Sequence, residues 1–91
     1  DCLKTRISKN KEEWMAKYFH LLSFPSISSE TAFGESLIAC ATWLQNELKS
    51  LGFNVEQWQS TGGHPVLFAN HSKAGKDKPT LLIYNHYDVQ P

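Results

Sequence analysis

A single change of period, centred on Gly52, constrains this chain more than any other feature. Phe33, Leu37, Ala41, Leu44, Leu48 and Leu51 recur at spacings of three and four, which places them on one apolar stripe of a helix. Gly52 ends the stripe, as glycine does where a helix closes through a left-handed residue. Directly afterwards Phe53 and Val55 alternate with Asn54 and Glu56, a two-residue period that belongs to a strand. Cys40 and Trp43 widen the buried side of the helix, while Gln45, Glu47 and Lys49 are expected to face water. An abrupt passage from helix to strand points to an α/β arrangement.

Upstream, Asn10 and Glu13 have the spacing of a capping box, with asparagine in the place of serine or threonine. Trp14, Met15, Tyr18, Phe19 and Leu22 then recur at helical intervals, so a first helix is expected after a polar lead-in and before Pro25. Pro25 and the four serines between Ser23 and Ser29 make a loop, any of whose last serines could cap the second helix. Downstream, Trp58 breaks the first strand, Gly62, Gly63 and Pro65 make a turn, and Val66 to Ala69 form a second strand close enough for an antiparallel hairpin. A solvated loop over Ser72 to Lys78 leads to Leu81-Leu82-Ile83, an uninterrupted apolar run that reads as a third strand covered on both faces. Two helices followed by three strands fit the opening part of an α/β fold with a mixed sheet.

The apolar run delivers Asn85-His86-Tyr87-Asp88-Val89-Gln90-Pro91. Residues two apart in an extended chain project to the same side, so His86 and Asp88 can lie next to each other. A carboxylate beside an imidazole fixes its tautomer and turns the other nitrogen outward as a lone-pair donor, the usual arrangement of a metal-binding histidine. Taken alone, a histidine at a strand end is more often a structural hydrogen-bonding residue, and an aspartate there can serve as an Asx-turn or capping residue.

The string LLIYNHYDVQP resembles the motif that carries the first metal-binding histidine of the aminoacylase, carboxypeptidase-G and carnosine-dipeptidase family, the co-catalytic zinc metallopeptidases of peptidase family twenty, and is most similar to its dipeptidase branch. Asn85 departs from the glycine common there. Phe24-Pro25-Ser26-Ile27-Ser28 resembles the turn between the first two helices of these enzymes, and Thr61-Gly62-Gly63-His64-Pro65 stands where they have a strand-connecting turn. The resemblance implies that residues 1–91 are the N-terminal fragment of a zinc-exopeptidase-like α/β/α catalytic domain. It further implies a metal role for His86, an orienting catalytic role for Asp88, and a dinuclear zinc hydrolase that cleaves dipeptides or short peptides with a metal-activated water. Manganese and cobalt share these ligand types. The other ligands, the general-base glutamate and a dimerisation domain that would make the parent a homodimer are expected beyond Pro91, so residues 1–91 alone should be inactive. Two rival readings are an N-acyl amino acid deacylase of the same family and a non-catalytic α/β interaction domain that retains the motif.

Charge and size narrow the alternatives. Nine Lys+Arg balance nine Asp+Glu, and no cluster interleaves basic and aromatic residues, so nucleic acid is not an expected partner. No apolar run approaches the roughly 20 residues that span a bilayer, and the first ten residues lack a secretory apolar core, so a soluble, cytoplasmic protein without a membrane partner is expected. Cys2 and Cys40 have neither zinc-knuckle nor redox spacing and read as free thiols. His20 and His71 read as structural, His64 as a solvated turn residue, and Lys73, Lys76 and Lys78 as a solvated loop. Trp14 and Trp43 fall on helix faces assigned to the core, whereas Trp58 could belong to a core or a ligand platform.

Overall fold

The computed structural model describes residues 2–59 and 61–91. Two helices come first, α1 over Cys2–Ser23 and α2 over Gly34–Ser50, the latter entered through a 3₁₀ turn at Thr31–Phe33. Two strands follow, β1 over Asn54–Trp58 and β2 over Val66–Asn70. They pair antiparallel, with Asn54 opposite Asn70 and Trp58 opposite Val66. The helices-then-strands order and the hairpin therefore stand as the periodicity predicts.

The stripe on α2 organises the interior. Leu37, Cys40 and Ala41 are its fully buried residues. On the hairpin, Val55, Gln57, Leu67 and Ala69 are half-buried and alternate with exposed neighbours, as expected for a pleated pair with one covered face. Both strands pack against α2. At the junction, Gly52 donates to the Lys49 carbonyl at 3.0 Å and Phe53 to the Leu48 carbonyl at 3.1 Å, the two bonds of a Schellman closure. Gly52 has φ of +92°, which an L side chain rarely adopts, so the residue that ends the sequence pattern also makes the turn.

Several expectations are corrected. The first helix begins eight residues earlier than Asn10, and Leu3, Lys4, Arg6 and Lys9 of the lead-in lose little rotamer freedom in a helix. Asn10 does not cap it; its side-chain amide donates to the Arg6 carbonyl one turn back at 2.8 Å. None of the loop serines caps α2, which is entered through Phe33 without a side-chain cap. Trp58 continues the strand on its exposed face, stacked on Phe68 with centroids 4.9 Å apart. Gln45 and Glu47 are half-buried: Gln45 accepts from the Gln57 amide at 2.7 Å, and Glu47 pairs with Lys17 of α1 at 3.0 Å.

The largest departure is at the third strand. Residues 79–91 have no regular secondary structure, and Leu81, Leu82 and Ile83 are 83%, 86% and 76% exposed. A strand needs a partner for its backbone groups, and among the described residues the sheet has two strands only. Helix α1 has no buried residue, and Trp14 is exposed rather than in the core. Its final turn still meets α2, where the His20 ring lies 4.9 Å from Trp43 and 5.2 Å, edge-on, from Phe24.

Candidate functional site

His86 and Asp88 meet. The imidazole Nδ1 lies 2.8 Å from Asp88 Oδ1, so the two-residue spacing places both side chains on one side although the segment is not a strand. Asn85 adds a local brace, its side-chain oxygen accepting the His86 backbone N–H at 2.9 Å. The carboxylate is the natural partner for a protonated Nδ1, an arrangement that leaves Nε2 with the outward lone pair. The His86 side chain is 73% exposed, so its free edge is accessible.

The pair is held from the far end of the sequence. The loop after α1 lies alongside residues 87–89: the buried Ser26 hydroxyl donates to the Tyr87 carbonyl at 2.9 Å, and the Val89 N–H donates to the Ser26 carbonyl at 2.9 Å. Two residues on, the Ser28 hydroxyl donates to Asp88 Oδ2 at 2.5 Å. The Tyr87 hydroxyl donates to the carbonyl of buried Pro65 at 2.5 Å, which ties the segment to the turn before β2. That turn makes a second contact through His64, whose Nε2 lies 3.1 Å from the Ser28 carbonyl. His64 is therefore joined to the loop that supports the site, not only solvated as the sequence suggests.

The electrostatics follow these contacts. The Ser28 hydrogen bond, and then that of His86, hold the Asp88 carboxyl below the ordinary carboxylate range. Burial pushes the Tyr87 phenol up, with the Cys40 thiol and the Asp88 charge acting in the same direction. Burial likewise raises the Cys40 thiol, by more than the neighbouring Ser26 hydroxyl lowers it.

A cleft of about 690 Å³ opens beside the pair. Leu37, Leu44 and Leu48 of α2, Leu67 and Ala69 of β2 and residues 81–88 are among its lining. His64, His86 and Asp88 also line it. Among the described residues no three His, Cys, Asp or Glu side chains gather closely enough to hold a metal ion.

Comparison with known proteins finds relatives of one kind. The chain is 33% identical over 96 residues to the Cys-Gly metallodipeptidase of Candida albicans, an alignment that takes in 93% of the chain and 20% of that protein. It is 29% identical over 101 residues to the Cys-Gly metallodipeptidase of Schizosaccharomyces pombe, covering all of the chain and 21% of the relative. A cysteinylglycine-S-conjugate dipeptidase of Corynebacterium striatum is 27% identical over 85 residues, 93% of the chain and 18% of the relative. The chain is similar to metallodipeptidases along nearly its whole length. It spans about one fifth of theirs. No family model and no solved structure matches.

Sequence reasoning singled out His86 and Asp88 and missed the serines that support them. The signal was present in the matching two-residue steps of Ser26-x-Ser28 and His86-x-Asp88, but nothing in one sequence says that two such segments lie side by side.

Proposed function

We propose that this chain is part of a metal-dependent dipeptidase in which His86 is a metal ligand and Asp88 its orienting carboxylate. The observation that carries the reading is the 2.8 Å contact between His86 Nδ1 and Asp88 Oδ1 on an accessible imidazole that lines a cleft. Metal-binding histidines donate their second ring nitrogen to a carboxylate in this way. The fit is to one corner of a metal site. An imidazole and a carboxylate suit zinc, manganese or cobalt, and the remaining ligands, with the general-base glutamate, belong to segments other than residues 1–91.

The finer reading is a dinuclear zinc site of the family-twenty kind, with residues 1–91 forming the opening part of the catalytic domain and dimerisation resting on other segments. When bound, the metal polarises the scissile amide carbonyl and makes water nucleophilic near neutral pH. This chain contributes position: Asp88 holds the Nδ1 proton and the ring plane, and the Ser26 and Tyr87 contacts fix the backbone that carries both side chains. Dipeptides are the substrate class, with cysteinylglycine the first to try, since the relatives are named for that dipeptide and its S-conjugates.

The test uses the full-length protein. Metal content and hydrolysis of cysteinylglycine and of N-acylated amino acids are measured for the wild type and for His86→Ala. The expected result is dipeptide hydrolysis in the wild type and, in the variant, loss of one metal equivalent and of activity. Unchanged metal content in His86→Ala would overturn the ligand assignment, and a preference for acylated amino acids would move the substrate class to the deacylases.

A further inference from the structure

Asp88 has two carboxylate oxygens, and both are engaged. Oδ1 faces His86 Nδ1 at 2.8 Å, while Oδ2 accepts the Ser28 hydroxyl at 2.5 Å. A carboxylate held by one contact can rotate about its last bond or swing away with its partner. One held at both oxygens by groups from different parts of the chain has a fixed plane and so fixes the plane of the imidazole. The hydroxyl-to-carboxylate bond is of the short, charge-assisted kind, roughly twice as strong as a neutral one.

The placement of Ser28 is itself determined. Two residues earlier, Ser26 is fully buried and holds the tail through the Tyr87 carbonyl and the Val89 N–H, one on either side of Asp88. The Ser28 carbonyl is engaged by His64. Ser28 thus reaches Asp88 from a loop already docked, and the exposed segment that carries His86 gains an anchor 60 residues away in sequence.

We infer that Ser28 is a positioning residue for the metal-binding edge of His86, acting through Asp88 by holding the carboxylate oxygen that His86 does not use. The inference rests on the reading of His86 as a metal ligand. A purely structural serine would support loop closure only, and its loss would lower the melting temperature without changing how the folded protein binds metal.

The experiment measures zinc affinity of the full-length protein by competition against a chromophoric chelator, with the imidazole ¹⁵N shifts of His86 recorded in the metal-free state. The variants are Ser28→Ala and the isosteric pair Ser28→Thr and Ser28→Val, which differ only in a hydroxyl. His86→Ala runs in parallel. Expected are about tenfold weaker zinc binding in Ser28→Ala and Ser28→Val, the lower end of what losing a supporting partner of a metal ligand costs, and near-wild-type affinity in Ser28→Thr. The ¹⁵N shifts should report the Nδ1–H tautomer in the wild type and a tautomer mixture in Ser28→Val. If Ser28→Thr and Ser28→Val bind zinc equally well, Ser28 does not position the ligand, whether or not Ser28→Ala folds. If His86→Ala keeps its full metal content, the ligand reading itself fails, a separate result.

Discussion

Cys40 shows how one buried residue reports on the site without belonging to it. It lies on the inner face of α2, fully buried, near the same Ser26 that holds the Tyr87 carbonyl. Its thiol is raised above its ordinary value because burial disfavours the thiolate, which outweighs the opposing influence of the Ser26 hydroxyl. The sign for stability follows. The folded state keeps the Cys40 proton where the unfolded chain would release it, so the thiol's contribution is intact below the ordinary thiol value and is lost as pH rises towards the raised one. Reactivity has the same direction, since the thiolate is the nucleophile. Cys2 is exposed. Iodoacetamide at pH 8 should therefore modify Cys2 rapidly and leave Cys40 untouched until the loop over 24–28 undocks, which mass mapping of the labelled peptides can follow. Rapid labelling of both would show that the loop does not stay closed over α2.

At the scale of elements, the α2–β1 junction depends on one backbone conformation. Gly52 at φ of +92° lets α2 close through the Lys49 and Leu48 carbonyls and turn at once into β1. A Cβ there would lie 3.0 Å from Lys73 Nζ, a flexible end that can move, so the backbone angle is the obstacle. Gly52→Ala should destabilise the fold by about 1–2 kcal/mol, the cost of a left-handed conformation for an L residue, read as a lower denaturant midpoint at unchanged slope. This junction was legible in the sequence because helix stripe, glycine and strand alternation all demand the same local geometry. The start of α1 was not: Asn10 and Glu13 have the spacing of a cap, yet the preceding Lys, Arg and Leu are good helix formers and Asn10 bonds backward inside the helix. The supposed third strand failed for another reason. An unbroken apolar run such as Leu81-Leu82-Ile83 carries no period of its own, and its structure is decided by what it pairs with. The candidate site divided similarly. His86 and Asp88 are two residues apart and declare themselves, whereas Ser26, Ser28 and Tyr87 act through contacts spanning 22 to 61 positions.

For the molecule as a whole, the distribution of apolar surface matters most. Leu81 to Tyr84 are at least three-quarters exposed and line a cleft together with leucines of α2, and α1 leaves Leu3, Ile7, Tyr18 and Phe19 exposed as well. Contiguous apolar patches beyond a few hundred Å² are rare on monomeric proteins and mark surfaces that associate. Residues 1–91 alone should therefore self-associate with rising concentration in sedimentation velocity, and the double substitution Leu82→Asp with Ile83→Asp should reduce that association. Since both side chains are exposed here, the double variant should keep the melting temperature and helix content of residues 1–91. In a chain of the relatives' length, about five times this one, the outcome should differ. If the run pairs and is covered there, two charges replace two apolar side chains each worth about 1.5–3 kcal/mol when buried, and the variant should melt well below the wild type. Equal loss of stability in both lengths would show that Leu82 and Ile83 already pack within residues 1–91. Equal tolerance in both would show that the segment leading to His86 stays uncovered, leaving the serine loop and the Tyr87–Pro65 contact as the supports that hold the His86–Asp88 pair.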